Sequence, residues 1–409
     1  MSSATRFGAD TRYPVASVGL TRDVNRAAIF WTIGTAGPIA RATIARRLNL
    51  SPATVTAVTR QLLDQGLIRV AKRSQSPRGR PALLLEVVGD AARAFGAKVA
   101  ADHVVGVCVN LEAEIVKQYE APLDAASPGA VAELAAILSS WLEESETPAP
   151  TLGLGLGISG LVDPSAGSVQ SPLLGWHDVP LAALLQKRLN VPVFIDNDVN
   201  TLAIAERLYG RGRASENFLT VTIGRGVGLG IIAGGDIYRG HRGGAGEFGH
   251  TTAVDDGPLC ACGKRGCVEA IVADPALVAE ARRARLLRRN DGIDRLRALA
   301  DAGNERAVAV FARAGAVLGR AVGNLVNVLS PALVLVSGEG TQAWAHIGAP
   351  FESALSNTVF GPLRPVRVEI DPWDDAKWAV GAATLVLRAS FAAPFEQAPV
   401  PMDLQEVGA

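Results

Sequence analysis

Apolar runs long enough to cross a membrane are missing from this 409-residue chain. None approaches the roughly 18 residues that a spanning helix needs. The first ten residues, Met1 to Asp10, hold no apolar stretch, so no secretory signal is read there. The expectation is a cytoplasmic protein with no membrane partner. Cysteine is scarce, with four residues in all, so a disulfide framework is not expected in a reducing compartment. Net charge is also absent, with 40 basic and 40 acidic side chains. That balance hides an asymmetry. Residues 1–88 hold 13 Lys or Arg against 4 Asp or Glu, and the remainder holds 27 against 36. A basic head on an acidic body implies that only the head meets a polyanion. The length suggests two or three domains, and a hydrophobic content of 48% suits a globular chain.

The head shows helical spacing first. Val24, Ala27, Ala28, Ile29, Trp31 and Ile33 form one face of a helix over Thr21 to Gly34, and Gly37-Pro38 stops it. Ala42 to Leu48 makes a second short helix, with Ile44, Ala45 and Leu48 on one face and Asn49-Leu50 as the turn. Ser51 serves as N-cap and Pro52 as the first residue of a third helix. That helix buries Val55, Val58, Leu62 and Leu63 and ends near Gln65-Gly66. Leu67 to Lys72 and Ala82 to Val88 read as strands. Three helices and a two-stranded wing make a winged helix-turn-helix over 21–88, with 1–20 as a flexible arm. Thr54, Thr56, Thr59 and Arg60 are expected to project from the third helix toward base edges and phosphates of operator DNA. On the wing, Pro77-Arg78-Gly79-Arg80-Pro81 resembles the Arg-Gly-Arg-Pro core of the AT-hook. Prolines keep such a segment extended, and Gly79 leaves room for the groove floor. Arg78 and Arg80 are therefore expected in the minor groove of A·T-rich DNA.

From 89 to 390 the pattern changes to alternating strands and helices, which indicates an α/β body. Strands are predicted near 95–101, 104–109, 152–158, 193–195, 218–223, 228–232 and 333–337. Helices are predicted near 130–142, 179–189, 199–207, 268–286 and 308–328. No fixed-period repeat is visible. Within the body, His250 precedes Cys260-Ala261-Cys262-Gly263-Lys264-Arg265-Gly266-Cys267. Three thiolates and an imidazole make a complete tetrahedral set for zinc. Four protein ligands leave no open position, so the expected zinc is structural. Lys264 and Arg265 are placed to offset the thiolate charge.

The run Gly224-Arg225-Gly226-Val227-Gly228-Leu229-Gly230, then Gly240, then Gly246-Glu247-Phe248-Gly249-His250 and the cysteine cluster resembles the ROK family of sugar-responsive repressors and sugar kinases. The resemblance spans roughly 20–390. It implies an α/β fold with a two-lobed, actin-like (ribonuclease-H-like), sugar-kinase-type body behind the winged head. The implied division is a first lobe at 89–196 and a second lobe with the zinc loop at 197–375. A C-terminal helix at 376–392 packs back on the first lobe, and a tail follows at 393–409. It further implies a monosaccharide held by Asn197, Asp198, Glu247, His250 and Glu269. In the kinases the carboxylate matching Asp198 is the general base, here vestigial, and His250 also serves the metal. Asp196 reads equally as a cap for the helix that follows, and Asp198 has the same second reading.

The kinases carry an Asp-x-Gly-Gly-Thr phosphate loop where this chain has Lys98-Val99-Ala100-Ala101-Asp102. The metal-serving Asp has become Lys98, the glycines have become Ala100 and Ala101, and the Thr has become Asp102, whose charge repels phosphate. Arg225 stands where the kinases commonly have Thr. No enzyme activity is therefore expected. Pro172-Leu173-Leu174-Gly175-Trp176 also lacks an Asn common in the family, which leaves the sugar open. The reading is a repressor of sugar genes that acts as a homodimer or homotetramer and closes its lobes on a sugar. The rival readings are an ATP-dependent sugar kinase with a DNA-binding head and a regulator controlled by a protein partner.

Overall fold

The computed structural model describes residues 18–73, 83–145, 148–372 and 374–392. They fall into two units: residues up to Gly89 together with those from Arg388 onward, and Asp90–Leu387. In the first unit α1 (Val18–Ala36) leads to a short β1 (Ile39–Ala40), then α2 (Arg41–Leu48), α3 (Pro52–Asp64), β2 (Ile68–Arg73) and β3 (Leu83–Val87). β3 lies between β1 and β2, antiparallel to both, with Ile39 opposite Leu85 and Ile68 opposite Val87. The two-residue β1 makes the wing three-stranded, one strand more than the sequence pattern gives. α2 ends on Asn49 in the left-handed conformation, at φ 51°, which Asn tolerates better than most residues. α3 starts on Ser51, whose Oγ accepts from the Thr54 N–H at 3.0 Å. Ile29, Phe30, Ile33, Ile44, Val55, Leu62 and Leu85 close the core. Phe391 stacks on Phe30 with ring centroids 3.6 Å apart and planes 10° apart. The helix expected at 376–392 is thus divided between the two units.

The second unit holds two five-stranded sheets. The first-lobe elements are β4 (Arg93–Val99), β5 (His103–Val109), β6 (Ile115–Pro122), α4 (Ala130–Glu144), β7 (Thr151–Ile158), the small sheet β8 (Leu161–Asp163), β9 (Ser168–Ser171) and β10 (Trp176–Val179), α5 (Leu181–Leu189) and β11 (Val193–Asn197). The second-lobe elements are α6 (Asp198–Leu208), β12 (Phe218–Ile223), β13 (Val227–Ala233), β14 (Asp236–Ile237), α7 (Glu269–Val272), α8 (Asp274–Arg283), α9 (Ile293–Asp301), α10 (Glu305–Leu329), β15 (Leu333–Ser337), α11 (Trp344–Thr358) and β16 (Val368–Ile370), followed by α12 (Asp375–Ala392). The helix expected over 268–286 is broken at Ala273, which is extended at ψ 150°.

Strand order is β6-β5-β4-β7-β11 in the first sheet and β14-β13-β12-β15-β16 in the second. Each begins with an antiparallel three-strand meander, adds a parallel strand to its first member and a second parallel strand beyond that one. The same five-strand topology therefore occurs twice. β12 and β15 are buried throughout, Thr220, Thr222 and Ser337 included, because helices cover both faces. β7, Thr-Leu-Gly-Leu-Gly-Leu-Gly-Ile, alternates differently. Leu154, Leu156 and Ile158 enter the first-lobe core with α4 and α5. Its glycines face the other way, where α12 and α6 lie. A Cβ on Gly155 would sit 1.9 Å from the Ala382 carbonyl oxygen, and one on Gly157 would sit 3.4 Å from the Asp198 Cα. Bare backbone is what lets those helices reach the sheet.

Among the described residues one helix, α10, is long and apolar enough to cross a membrane. Arg313 and Arg320 interrupt it, so it holds no continuous apolar run of that length. The helix is amphipathic and lies in the second-lobe core, where Val310, Phe311, Val317, Leu318 and Val322 are buried beside Ile347, Phe351 and Leu355 of α11. Gly319 sets that crossing, since a Cβ there would stand 2.2 Å from the Phe351 oxygen.

Gly155→Ala is expected to destabilise the protein by about 2 kcal/mol through overpacking. The denaturant midpoint should fall accordingly. Gly361→Ala, whose Cβ meets nothing within 4 Å, should leave the midpoint within about 0.5 kcal/mol of the parent.

Candidate functional site

The His250, Cys260, Cys262 and Cys267 ligand atoms all lie within 4.8 Å of one another. Backbone geometry produces that cluster. Gly246, at φ 93°, turns the chain into a short 3₁₀ segment, Glu247–His250. The cysteine loop folds on itself through Cys260 N–H to the Lys264 oxygen (2.8 Å) and Gly263 N–H to the Cys260 oxygen (3.0 Å). A bridge pairs Thr252 with Cys267. Cys260 Sγ is 3.6 Å from His250 Nδ1, and Cys262 Sγ is 3.7 Å from Cys267 Sγ. Lys264 Nζ donates to the His250 carbonyl at 2.7 Å, so its charge does stand beside the thiols. Arg265 instead donates to the Gly257 carbonyl at 3.4 Å. The Lys264 backbone N–H holds the Cys262 thiol below its ordinary range. Burial pushes Cys260 up and Cys267 up to about 12. A cation entering the cluster would therefore displace protons, and its affinity falls in acid. The donor set fits a tetrahedral metal with no open position.

The five residues expected to hold a sugar surround β13. Asn197 ends β11 and caps α6. Its Oδ1 accepts from the Val199 and Asn200 N–H groups at 2.9 and 3.2 Å, and its Nδ2 donates to the Gly160 carbonyl at 3.0 Å. One amide hydrogen is left for a ligand. Of the two acids weighed as caps, neither takes the helix-capping role; Asn197 does. Asp198 accepts from the Val199 N–H, at 2.9 Å. Burial pushes its carboxyl up, and the Lys98 charge opposes that shift. Val199 touches Gly228 on β13. On the other side of that strand, Gly246 and Gly249 abut the Leu229 and Val227 carbonyls, which places Glu247 and His250. Glu247 Oε2 is 3.8 Å from His250 Nε2, and Glu269 Oε1 is 4.0 Å from His250 Nδ1. Glu269 Oε2 accepts from the Val227 N–H at 3.1 Å. Glu247, His250 and Glu269 thus converge on one imidazole.

Sequence reasoning missed Arg239. Its Nε pairs with Asp196 Oδ2 at 2.8 Å, and Asp196 is 1% exposed. The signal was its place one residue before the quoted Gly240. Glu339 and Asp375 were missed too. Lys98 Nζ pairs with Asp375 Oδ1 at 3.2 Å and lies 4.3 Å above the Trp378 ring. Glu339 Oε2 accepts from the Arg225 N–H at 3.2 Å. Close by, Asp274 donates its N–H to the Gly224 oxygen at 2.8 Å. Burial, then Glu339, pushes its carboxyl up to about 6.

In the head, Thr56 and Arg60 are exposed and Thr54 is half-buried. Thr59 corrects the expectation: it is 0% exposed. Its Oγ1 donates to the Val55 carbonyl at 2.8 Å and accepts from Arg41 Nε at 2.7 Å. It lies next to Val58 on the inner face of α3, one step from the outer stripe of Thr56 and Arg60. A groove of about 520 Å³ between α2 and α3 is lined by Arg41, Arg46, Asn49 and Thr56, among others. Arg78 and Arg80 lie outside the described residues.

Comparison with known proteins agrees with this two-part plan. A sequence model of the ROK family matches residues 95–389, and one of the MarR family matches 24–79. A xylose repressor of Bacillus subtilis is 28% identical over 351 residues, covering 85% of this chain and 91% of the repressor. The DNA-binding transcriptional dual regulator NagC of Escherichia coli is 28% identical over 389 residues, covering 92% of this chain and 95% of the regulator. Among solved structures, a ROK family transcriptional regulator, homolog of the E. coli MLC protein, superposes with a TM-score of 0.80 at 23% identity, over 91% of this chain and 97% of that one. A ROK family glucokinase from Streptomyces griseus, solved with glucose and AMPPNP, gives 0.64 at 26% identity, over 72% and 99%.

The Asp274 shift has a defined sign. Its folded pKa of about 6 lies above the ordinary 3.8, so the folded state holds that proton more tightly than the unfolded chain does. Stability falls as pH rises between those values, and the loss is complete above about 6. Asp274→Asn should therefore gain stability over the parent at pH 8 relative to pH 4, on the order of 1 kcal/mol. Chemical denaturation at the two pH values reads this difference.

Proposed function

The chain belongs to the ROK family, and we propose that it is a DNA-binding transcriptional regulator, a repressor of sugar-utilisation genes, controlled by a monosaccharide bound in the body. The observation that carries this reading is the convergence of Glu247 and Glu269 on His250, beside a cysteine cluster that fixes the ring. Carboxylates on short, rigid segments accept from neighbouring sugar hydroxyls in pairs. Asp198 and the free amide hydrogen of Asn197 supply the remaining partners. His250 presents Nε2 toward Glu247, while Nδ1 faces the thiols. The metal is zinc in a structural role, held by His250, Cys260, Cys262 and Cys267. It orients the imidazole as an outer partner orients a ligand.

The protein is not a kinase on this reading. Lys98 and Asp102 are already engaged by Asp375 and Arg225. Ala100 and Ala101 put side chains where a phosphate would need bare backbone. In the cytoplasm, the head of a homodimer reads the operator with Thr54, Thr56 and Arg60. Arg78 and Arg80 of the wing reach the minor groove beside it. Sugar favours a closed body that holds DNA less well, and a differential affinity of about 1–3 kcal/mol between the two states suffices.

A thermal-shift screen against D-xylose, N-acetylglucosamine and glucose, with and without Mg-ATP, tests the reading. The expected result is stabilisation by one sugar and no further shift with Mg-ATP, since only a ligand of the folded state raises Tm. A shift from Mg-ATP alone would reinstate the kinase. Cys262→Ser should reduce bound zinc, measured by atomic emission, and abolish the sugar shift while operator binding persists. Arg60→Ala should weaken operator binding about tenfold in a fluorescence-anisotropy titration, equivalent to about 1.4 kcal/mol.

A further inference from the structure

Two loops of opposite charge, one from each lobe, meet across the body. Asp102 lies on the turn between β4 and β5. Arg225 lies between Gly224 and Gly226, on the loop that joins β12 to β13. Arg225 Nη1 donates to Asp102 Oδ1 at 3.0 Å, and Nη2 donates to Oδ2 at 3.3 Å. This is the two-pronged geometry in which a guanidinium and a carboxylate fix each other's orientation as well as their distance. Glu339 secures the loop from behind, accepting the Arg225 N–H at 3.2 Å, with its other oxygen 3.9 Å from Nε. His103 Nδ1 shares the Asp102 carboxylate at 2.7 Å.

The same loop has a second attachment. Two residues after Arg225, the Val227 N–H donates to Glu269 Oε2 at 3.1 Å. A Cβ on Gly226 would come within 3.0 Å of that same oxygen, so the loop and the carboxylate are in close contact. Four residues therefore carry one contact to the first lobe and one to a carboxylate of the pocket. A change in lobe separation that breaks the two-pronged pair removes the loop's first-lobe anchor, two residues from the donor that holds Glu269.

We propose that Arg225 is a positioning residue: its pair with Asp102 clasps the two lobes and, through the Val227 N–H, sets the orientation of Glu269 toward the ligand. The consequence for ligand affinity rests on the sugar-sensing reading; the clasp itself does not. The side chains of Arg225 and Asp102 are 48% and 63% exposed. Such a pair is weak and sensitive to salt, which suits a contact that forms and breaks as the lobes move.

Hydrogen–deuterium exchange on the full-length protein tests the clasp. Three segments are followed: 99–104, 223–228 and 266–271. The variants are Arg225→Gln, Asp102→Asn and the double substitution. Each single variant should speed exchange about two- to five-fold, not only in its own segment but in the opposite lobe's loop and in 266–271. The double variant should exchange no faster than either single one, because both remove the same contact. Effects confined to the substituted loop, or adding in the double variant, would overturn the clasp. Loops that respond together while 266–271 does not would overturn the positioning of Glu269. A titration with D-xylose or N-acetylglucosamine separates this from the parent reading. Binding to the unmodified protein, weakened by about the same factor in all three variants, supports both. Binding of unchanged affinity in the variants overturns the positioning role. No binding of any sugar to the unmodified protein counts against sugar sensing, and the exchange data still decide the clasp.

Discussion

The body depends on one buried carboxylate. Asp196 stands at the end of β11, where the chain leaves the first sheet, and is 1% exposed. A charge there is tolerable only if its lone pairs are filled. They are filled from three directions. Oδ1 accepts the Asn197 N–H at 2.8 Å and the Asn200 amide at 3.0 Å, and Oδ2 takes Arg239 at 2.8 Å. The first two contacts fix the turn from strand into α6, so they decide where Asn197 and Asp198 stand. The third reaches the segment after β14, and that segment runs within a few residues to Glu247 and His250. Removing Arg239 would leave a buried charge with two of its three partners and no counter-ion, a more costly state than replacing the whole pair with apolar groups. Asn197 and Asp198 are thus placed by a carboxylate whose own lone pairs are spent inside the protein.

Much of the fold was legible because burial and hydrogen bonding write themselves locally. Ser51-Pro52 announced α3, apolar and β-branched residues announced β12 and β15, and the cysteine spacing announced the cluster. The doubled sheet was not legible. Strand order β6-β5-β4-β7-β11 repeats as β14-β13-β12-β15-β16, yet no period joins the two in sequence. The first copy alternates Leu with Gly in β7 because helices touch its backbone. The second fills β15 with Leu and Val because side chains fill its surroundings. One topology with two packing solutions leaves no common residue pattern. Short pieces such as β1 and β16 were missed for a different reason. Two or three residues carry too little periodicity to register, and partners far along the chain hold them in place.

The site was half legible on similar grounds. Residue types that bind sugars or metals stood out at Asn197, Glu247, His250 and Glu269. Their partners did not, since Arg239, Glu339 and Asp375 are ordinary charges until the fold brings them to Asp196, Arg225 and Lys98. Thr59 erred by one helical step. On α3, Thr56 and Arg60 are exposed, and Thr59 falls between that stripe and Val55-Val58-Leu62. A hydroxyl can go either way at such a boundary. Here the Val55 carbonyl and Arg41 satisfy it inside, so its burial costs little.

The residues at 98–102 make physical sense as a set once their contacts are considered. Left unpaired, Lys98 and Arg225 would attract any free anion. Asp375 and Asp102 occupy those cations at 3.2 and 3.0 Å, and nearby burial with Glu339 keeps Asp274 protonated up to about pH 6. That end of the body is electrostatically self-satisfied, while the end around His250 keeps carboxylates with spare acceptor capacity. A sensor requires this asymmetry. It must change state on binding one ligand and be indifferent to others, and a ligand shifts an equilibrium only by its differential affinity for the two states. Internal ion pairs at that end lessen what a competing anion gains there.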